Sequence, residues 1–113
     1  MKRSIARKWA KALESGEYKQ GKGRLRDGDK FCCLAVLCNL HAQEHSEIAA
    51  VQKYKSVYLG EKAVLPLEVQ VWAGMTSNDG YITYDSSLIA MNDREDKSFA
   101  EIAKVIRKEY KKL

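Results

Sequence analysis

Phe31-Cys-Cys-Leu-Ala-Val-Leu-Cys-Asn-Leu40 is a nearly unbroken apolar run, and whatever it forms must sit inside the fold. Only Val36 in it is β-branched, and the chain continues as Asn39-Leu-His-Ala-Gln-Glu-His45. Length and low β-branching favour a buried helix over a strand. Cys32, Cys33 and Cys38 all lie in this run, an odd count in a chain that opens Met1-Lys2-Arg3-Ser4 and not with a signal-peptide core. They read as reduced thiols acting as small hydrophobes.

Outward from this centre, Ser4 to Ser15 reads as an amphipathic helix. Ile5, Trp9, Ala12 and Leu13 share one face, Arg7, Lys8 and Lys11 another, and Gly16 marks the end. Asp27-Gly28 signals a hairpin that pairs Arg24–Arg26 with Asp29–Cys32. Residues 46–53 are ambiguous. A strand is expected at Tyr54–Leu59, turned by Gly60 and returning at Val64-Leu65. Pro66 fits the first turn of a helix Pro66–Ala73 ended by Gly74. Asn78-Asp-Gly80 turns into a short strand at Tyr81–Tyr84, and Asp85 or Ser86 caps a helix through Met91 that stops near Asn92-Asp93. Ser98-Phe-Ala-Glu101 is a capping box for a last helix carrying Phe99, Ile102, Ala103, Ile106 and Tyr110 on one side. No linker or repeat interrupts the 113 residues. The expected architecture is α+β, a single small domain over 1–113 with about five helices and one or two short β-hairpins.

Hydrophobic residues make up 45% and charged residues 31%, and no run approaches a bilayer span, so no membrane partner is expected. Charge is unevenly placed. Residues 1–30 hold ten Lys/Arg against four Asp/Glu, residues 31–103 hold five against ten, and residues 104–113 hold five against one. Two basic ends flank an acidic middle, a layout that attracts a polyanion or an acidic protein patch to one face.

Candidate sites follow from these patterns. Lys19, Lys22, Arg24 and Arg26 interleave with Gly21 and Gly23 ahead of a helix, where close backbone approach and free amides favour an anion. The stretch lacks the Gly-Lys-Ser/Thr of a P-loop. Arg7 and Lys11 extend this basic face, and Tyr18 beside Lys19 is the freest aromatic, so the anion-binding set is Arg7, Lys11, Tyr18, Lys19, Lys22, Arg24 and Arg26. Trp9 and Tyr110 fall on apolar faces and read as core. Cys38, His41 and His45 share a helical face but lack the second ligand pair of a zinc site. The apolar setting raises thiol pKa, which opposes a Cys–His nucleophile. No catalytic motif, metal or cofactor is expected. Ser87 to Ile106 has the apolar layout of a helix-turn-helix, yet a third, groove-reading helix would fall near residue 110, close to Leu113. The layout reads as a packing solution for two helices more than a DNA reader.

Trp9-x-x-x-Leu13-x-Ser-Gly16, Tyr18-Lys-Gln-Gly-Lys-Gly-Arg-Leu-Arg-Asp-Gly28 and Phe31-Cys-Cys-Leu-x-Val-Leu-Cys38, with Leu65-Pro66, Val71-Trp-Ala-Gly74, Met91-Asn-Asp93 and Ser98-Phe-x-Glu-Ile-Ala103, resemble a family of small proteins encoded by tailed bacteriophages and prophages. Ala35, where that pattern often has glycine, and a longer Asn78–Tyr84 insert depart from it. The resemblance carries over no residue roles. It implies an accessory protein in the cytoplasm of an infected bacterium. The resulting expectation is a non-catalytic protein that binds an anionic partner, an acidic surface of a host protein complex or a nucleotide signal, and counteracts a host antiviral defence. The alternative is a nucleic-acid-binding regulator using the basic hairpin or the C-terminal helix, and self-association into a homo-oligomer is compatible with either.

Overall fold

The computed structural model describes residues 1–51 and 56–113. The architecture is α+β. Among the described residues there are six helices and two small sheets: α1 (Arg3–Glu14), β1 (Lys19–Gln20), β2 (Arg26–Asp27), β3 (Lys30–Phe31), α2 (Cys33–Glu44), α3 (Ser46–Val51), α4 (Leu67–Ala73), β4 (Tyr81–Thr83), β5 (Ser86–Ser87), α5 (Leu88–Asp93) and α6 (Phe99–Glu109). No helix among the described residues is long and apolar enough to cross a membrane.

The cysteine-rich run is the central helix, α2. Cys33 through Cys38 are all buried, so the helix is walled in on every side over two turns. Neighbours supply those walls. α1 buries Ile5, Ala6, Trp9, Ala10 and Leu13, and Trp9 Nε1 donates to the Cys33 carbonyl at 2.9 Å. α6 buries Phe99, Ile102, Ala103 and Ile106, and its capping box is complete, with both the Glu101 amide to Ser98 Oγ and the Ser98 amide to Glu101 Oε1 at 3.1 Å. That reciprocal pairing fixes where α6 begins. At α4, Gly74 adopts φ 70, a left-handed cap that ends the helix.

The Asp27-Gly28 hairpin is present: β2 pairs antiparallel with β3, Asp27 opposite Lys30. β1 adds a third strand, parallel to β3, which no local pattern announces. Residues 54–55 of the expected 54–59 strand lie outside the described residues. Beyond them Tyr58 forms a single bridge with Glu61 around Gly60, and no strand forms at Val64-Leu65. Two boundaries also shift. Pro66 is the residue before the first turn of α4, and the cap of α5 is Ser87, whose Oγ accepts from the Ala90 amide at 3.2 Å, in place of Asp85 or Ser86. A two-residue strand at Ser86–Ser87 pairs back on β4 and moves the helix start past those positions.

Asn92, at the end of α5, is wholly buried. Its Oδ1 accepts from Gln20 Nε2 at 2.9 Å and from the Cys33 amide at 3.2 Å, while its Nδ2 donates to the Gly21 carbonyl and to Asp93 Oδ1, both at 2.8 Å. One amide thereby pins β1, the start of α2 and α5 together.

Candidate anion-binding face

The two basic ends of the chain meet in space. α1 and α6 pack side by side and run antiparallel: the Met1 ammonium donates to the Tyr110 carbonyl at 2.9 Å, and Arg107 reaches back toward the other end of α1 to hold Glu14. Both helices turn apolar faces inward, so their charged faces are left on a common outer surface. Buried alanines at Ala6, Ala10 and Ala103 are too small to separate the axes widely. A shallow groove of about 260 Å³ forms between them, lined by Arg3, Ala6, Arg7, Arg107 and Tyr110. Three of these five lining residues are arginines, and Ala6, the smallest, is itself buried. Lys11 continues the row on α1, and α6 carries Lys104 and Lys108 near Arg107 in sequence, all exposed.

Of the seven residues expected to bind an anion, Arg7 and Lys11 lie on this face. The hairpin residues do not line this groove, and most of them are already engaged. Lys19 is paired with Asp29 at 3.0 Å and Lys22 with Asp96. The Arg26 guanidinium lies over the Phe31 ring, 4.3 Å from its centroid, and donates to the Gly28 carbonyl. Arg24 lines a separate groove of about 280 Å³ with Gly23, Ser56, Lys62 and Ala63. Tyr18 is half-buried, edge-on to Phe31, and its hydroxyl accepts from Asn39 Nδ2 at 2.7 Å. Among the described residues, the most exposed tyrosine is Tyr84, at 91%. Gly21, placed in a phosphate cradle by the sequence, donates its amide to the Phe31 carbonyl at 2.8 Å, and a Cβ there would stand 2.8 Å from Lys30 Cβ. Its close approach serves the sheet.

Sequence reasoning missed Arg3, Arg107 and Tyr110 as partners of Arg7. The i, i+4 spacing of Arg3, Arg7 and Lys11 is visible in the chain, as is the basic α6. Nothing local reports that the two helices are neighbours.

The cysteines and histidines are occupied by packing. Burial raises Cys32 to about 11 and pushes Cys33 and Cys38 up as well. The native protein is therefore expected to leave a thiol reagent almost unreacted at about pH 8, while the denatured chain takes up three equivalents. Rapid native labelling of any cysteine would contradict this packing.

His41 is buried, its Nδ1 2.6 Å from the Tyr58 hydroxyl, and its ring stacks on His45 at 4.1 Å with Trp72 edge-on at 5.1 Å. Burial raises the Tyr58 phenol to about 12, so it stays neutral while it shares its hydroxyl with His41 Nδ1. Burial first, and His45 second, lower the His41 pKa; Glu44, Glu68 and Glu47 oppose them. The unfolded chain then binds more protons than the folded one below about pH 6.5, so stability is full above that value and declines as pH falls through it. Urea midpoints are expected to drop between about pH 7.5 and 5.5 in the native protein and to stay level in His41→Gln. The carboxylates with lowered pKa, Asp29, Glu44 and Glu101, act only at more acidic pH.

Among the described residues, no group of three or more His, Cys, Asp or Glu is placed to hold a metal ion. No curated protein and no solved structure matches the chain. A family model does: residues 1–110, including α1, the cysteine-rich α2 and α6 to its end, match a domain of unknown function (DUF8296), and the chain belongs to that family.

Proposed function

We propose that this protein is a non-catalytic binding protein that captures an anionic partner on the α1–α6 face. The observation that supports it is the ring of Arg3, Arg7 and Arg107 around one groove, drawn from both basic ends of the sequence. Like charges gathered this way repel one another and lower stability unless something negative is bound. No carboxylate among the described residues pairs with Arg3 or Arg7; Glu14, on Arg107, is the exception on this face. The likeness to small phage-encoded proteins gives the biological setting we adopt: the partner belongs to an infected bacterial cell, and its capture diverts a host process such as antiviral defence.

The test is direct. A fluorescent duplex DNA and a fluorescent polyglutamate are titrated with the protein at about 50 mM salt. At least one is expected to bind, and Arg3→Ser with Arg7→Ser is expected to weaken that binding by roughly tenfold or more. Lys19→Ser with Lys22→Ser on the hairpin is expected to change it less than about threefold, because those ammoniums do not line the groove. Equal losses from both pairs of substitutions would remove the α1–α6 face from the reading.

A further inference from the structure

We infer that the anionic partner is the phosphate backbone of a nucleic acid, and that Glu14 is an internal competitor which the backbone displaces from Arg107. This rests on the α1–α6 face being the binding surface.

The face already holds one carboxylate: Glu14 engages Arg107 through one oxygen, while Arg3 and Arg7 on the groove pair with no carboxylate among the described residues. A carboxylate and a phosphodiester each carry one charge on two oxygens, so what separates a phosphate backbone from a lone carboxylate is its regular repetition. The cations also recur. Arg3, Arg7 and Lys11 are each one turn apart on α1, a rise of about 6 Å per step, and Arg107 lines the groove from the antiparallel α6. A row of positive charge repeating at this interval suits a polymer with an anion at every step better than a folded protein, whose carboxylates are scattered. No exposed aromatic lines the groove, and Tyr110 is half-buried, so the face offers no platform for stacking on a base. Contacts made by its arginines to phosphates alone carry no sequence preference.

Glu14 supports the same assignment. It is the last residue of α1, where the helix dipole is negative and a carboxylate is disfavoured. Among the described residues its bond to Arg107 is what compensates, and Arg107 is held by it until a stronger, repeating anion takes Glu14's place.

The experiment uses the full chain, a 20-base-pair duplex of mixed sequence (about two helical turns), a second duplex of unrelated sequence and polyglutamate, with binding read by anisotropy across salt. Both duplexes are expected to bind alike, with log K falling against log salt at a slope of about −3, as for roughly three phosphates neutralised. Glu14→Gln is expected to tighten duplex binding about three- to tenfold, and Arg107→Ala to flatten the slope by about 1. The gain from Glu14→Gln must disappear when Arg107→Ala is also present; a gain that survives overturns the competition, since Glu14 would then act as a general negative charge. Circular dichroism checks that each variant is folded. Binding of polyglutamate without either duplex overturns the phosphate assignment and leaves the anion-binding face standing. Failure of all three probes at about 50 mM salt overturns both.

Discussion

Replacing Asn92 with alanine is expected to lower unfolding free energy by about 3–4 kcal/mol, a large share of the 5–15 kcal/mol typical of a domain. The side chain lies at 0% exposure and makes four hydrogen bonds. Truncation leaves the Cys33 amide without its side-chain acceptor and the Gly21 carbonyl without the amide it accepts from. Each buried orphan costs about 1–3 kcal/mol, and no water can reach the site unless the packing opens. Gln20 is less affected, because its Nε2 also donates to the Lys97 carbonyl at 2.8 Å. Asn92→Asp sharpens the interpretation. It keeps shape and acceptor but replaces the donor with a carboxylate oxygen facing Asp93 and the Gly21 carbonyl, so it is expected to be at least as damaging. Urea denaturation measures both, and amide exchange at Cys33 gives a local readout. A loss below about 1 kcal/mol for Asn92→Ala would mean that the three segments are held by apolar packing alone.

Trp9→Ala is the second large effect, expected at about 3–5 kcal/mol. Trp9 is 0% exposed and is the largest side chain between α1 and α2. Its removal deletes the apolar contact and leaves a cavity that rigid helices on either side cannot collapse to fill. Trp9→Phe is expected to cost less than half as much. It retains most of the ring, and the Cys33 carbonyl that loses the indole donor at 2.9 Å lies in the first turn of α2, where a helical amide four residues on can still pair with it. Urea midpoints compare the two. The consequence reaches the functional face, since Arg3 and Arg7 meet Arg107 only while α1 is docked. In Trp9→Ala, polyanion affinity should fall in step with the folded fraction and recover when the variant is stabilised by cooling toward its temperature of maximum stability. An affinity that holds while the fold is lost would detach the binding from the α1–α6 geometry.

Elements whose local chemistry is self-contained are legible in the amino-acid sequence. The capping box at Ser98, the amphipathic pattern of α1, the left-handed Gly74 and the Asp27-Gly28 hairpin each arise from residues within a few positions of one another. The cysteines read as buried because the run around them leaves no polar face to present to water. Where expectation and fold part, a distant segment decides. β1 is a strand only because β3 lies parallel beside it, and Ser87 caps α5 because β5 pairs back on β4.

The candidate site divides along the same line. Hydrophobic periodicity with the cap and turn residues, together with charge order, determined that this chain is an α+β protein with positive ends and a negative middle, because these are properties of sequence. Which cations act together was decided by tertiary structure. The basic hairpin has the spacing of a site, yet Lys19 and Lys22 pair with Asp29 and Asp96, the latter from a distant part of the chain. Arg7 and Arg107 belong to opposite ends of the sequence, and the antiparallel packing of α1 on α6 sets them around one groove. Local spacing fixes the face of a helix on which a charge falls; only burial of the opposite face against a common core fixes which other charge becomes its neighbour.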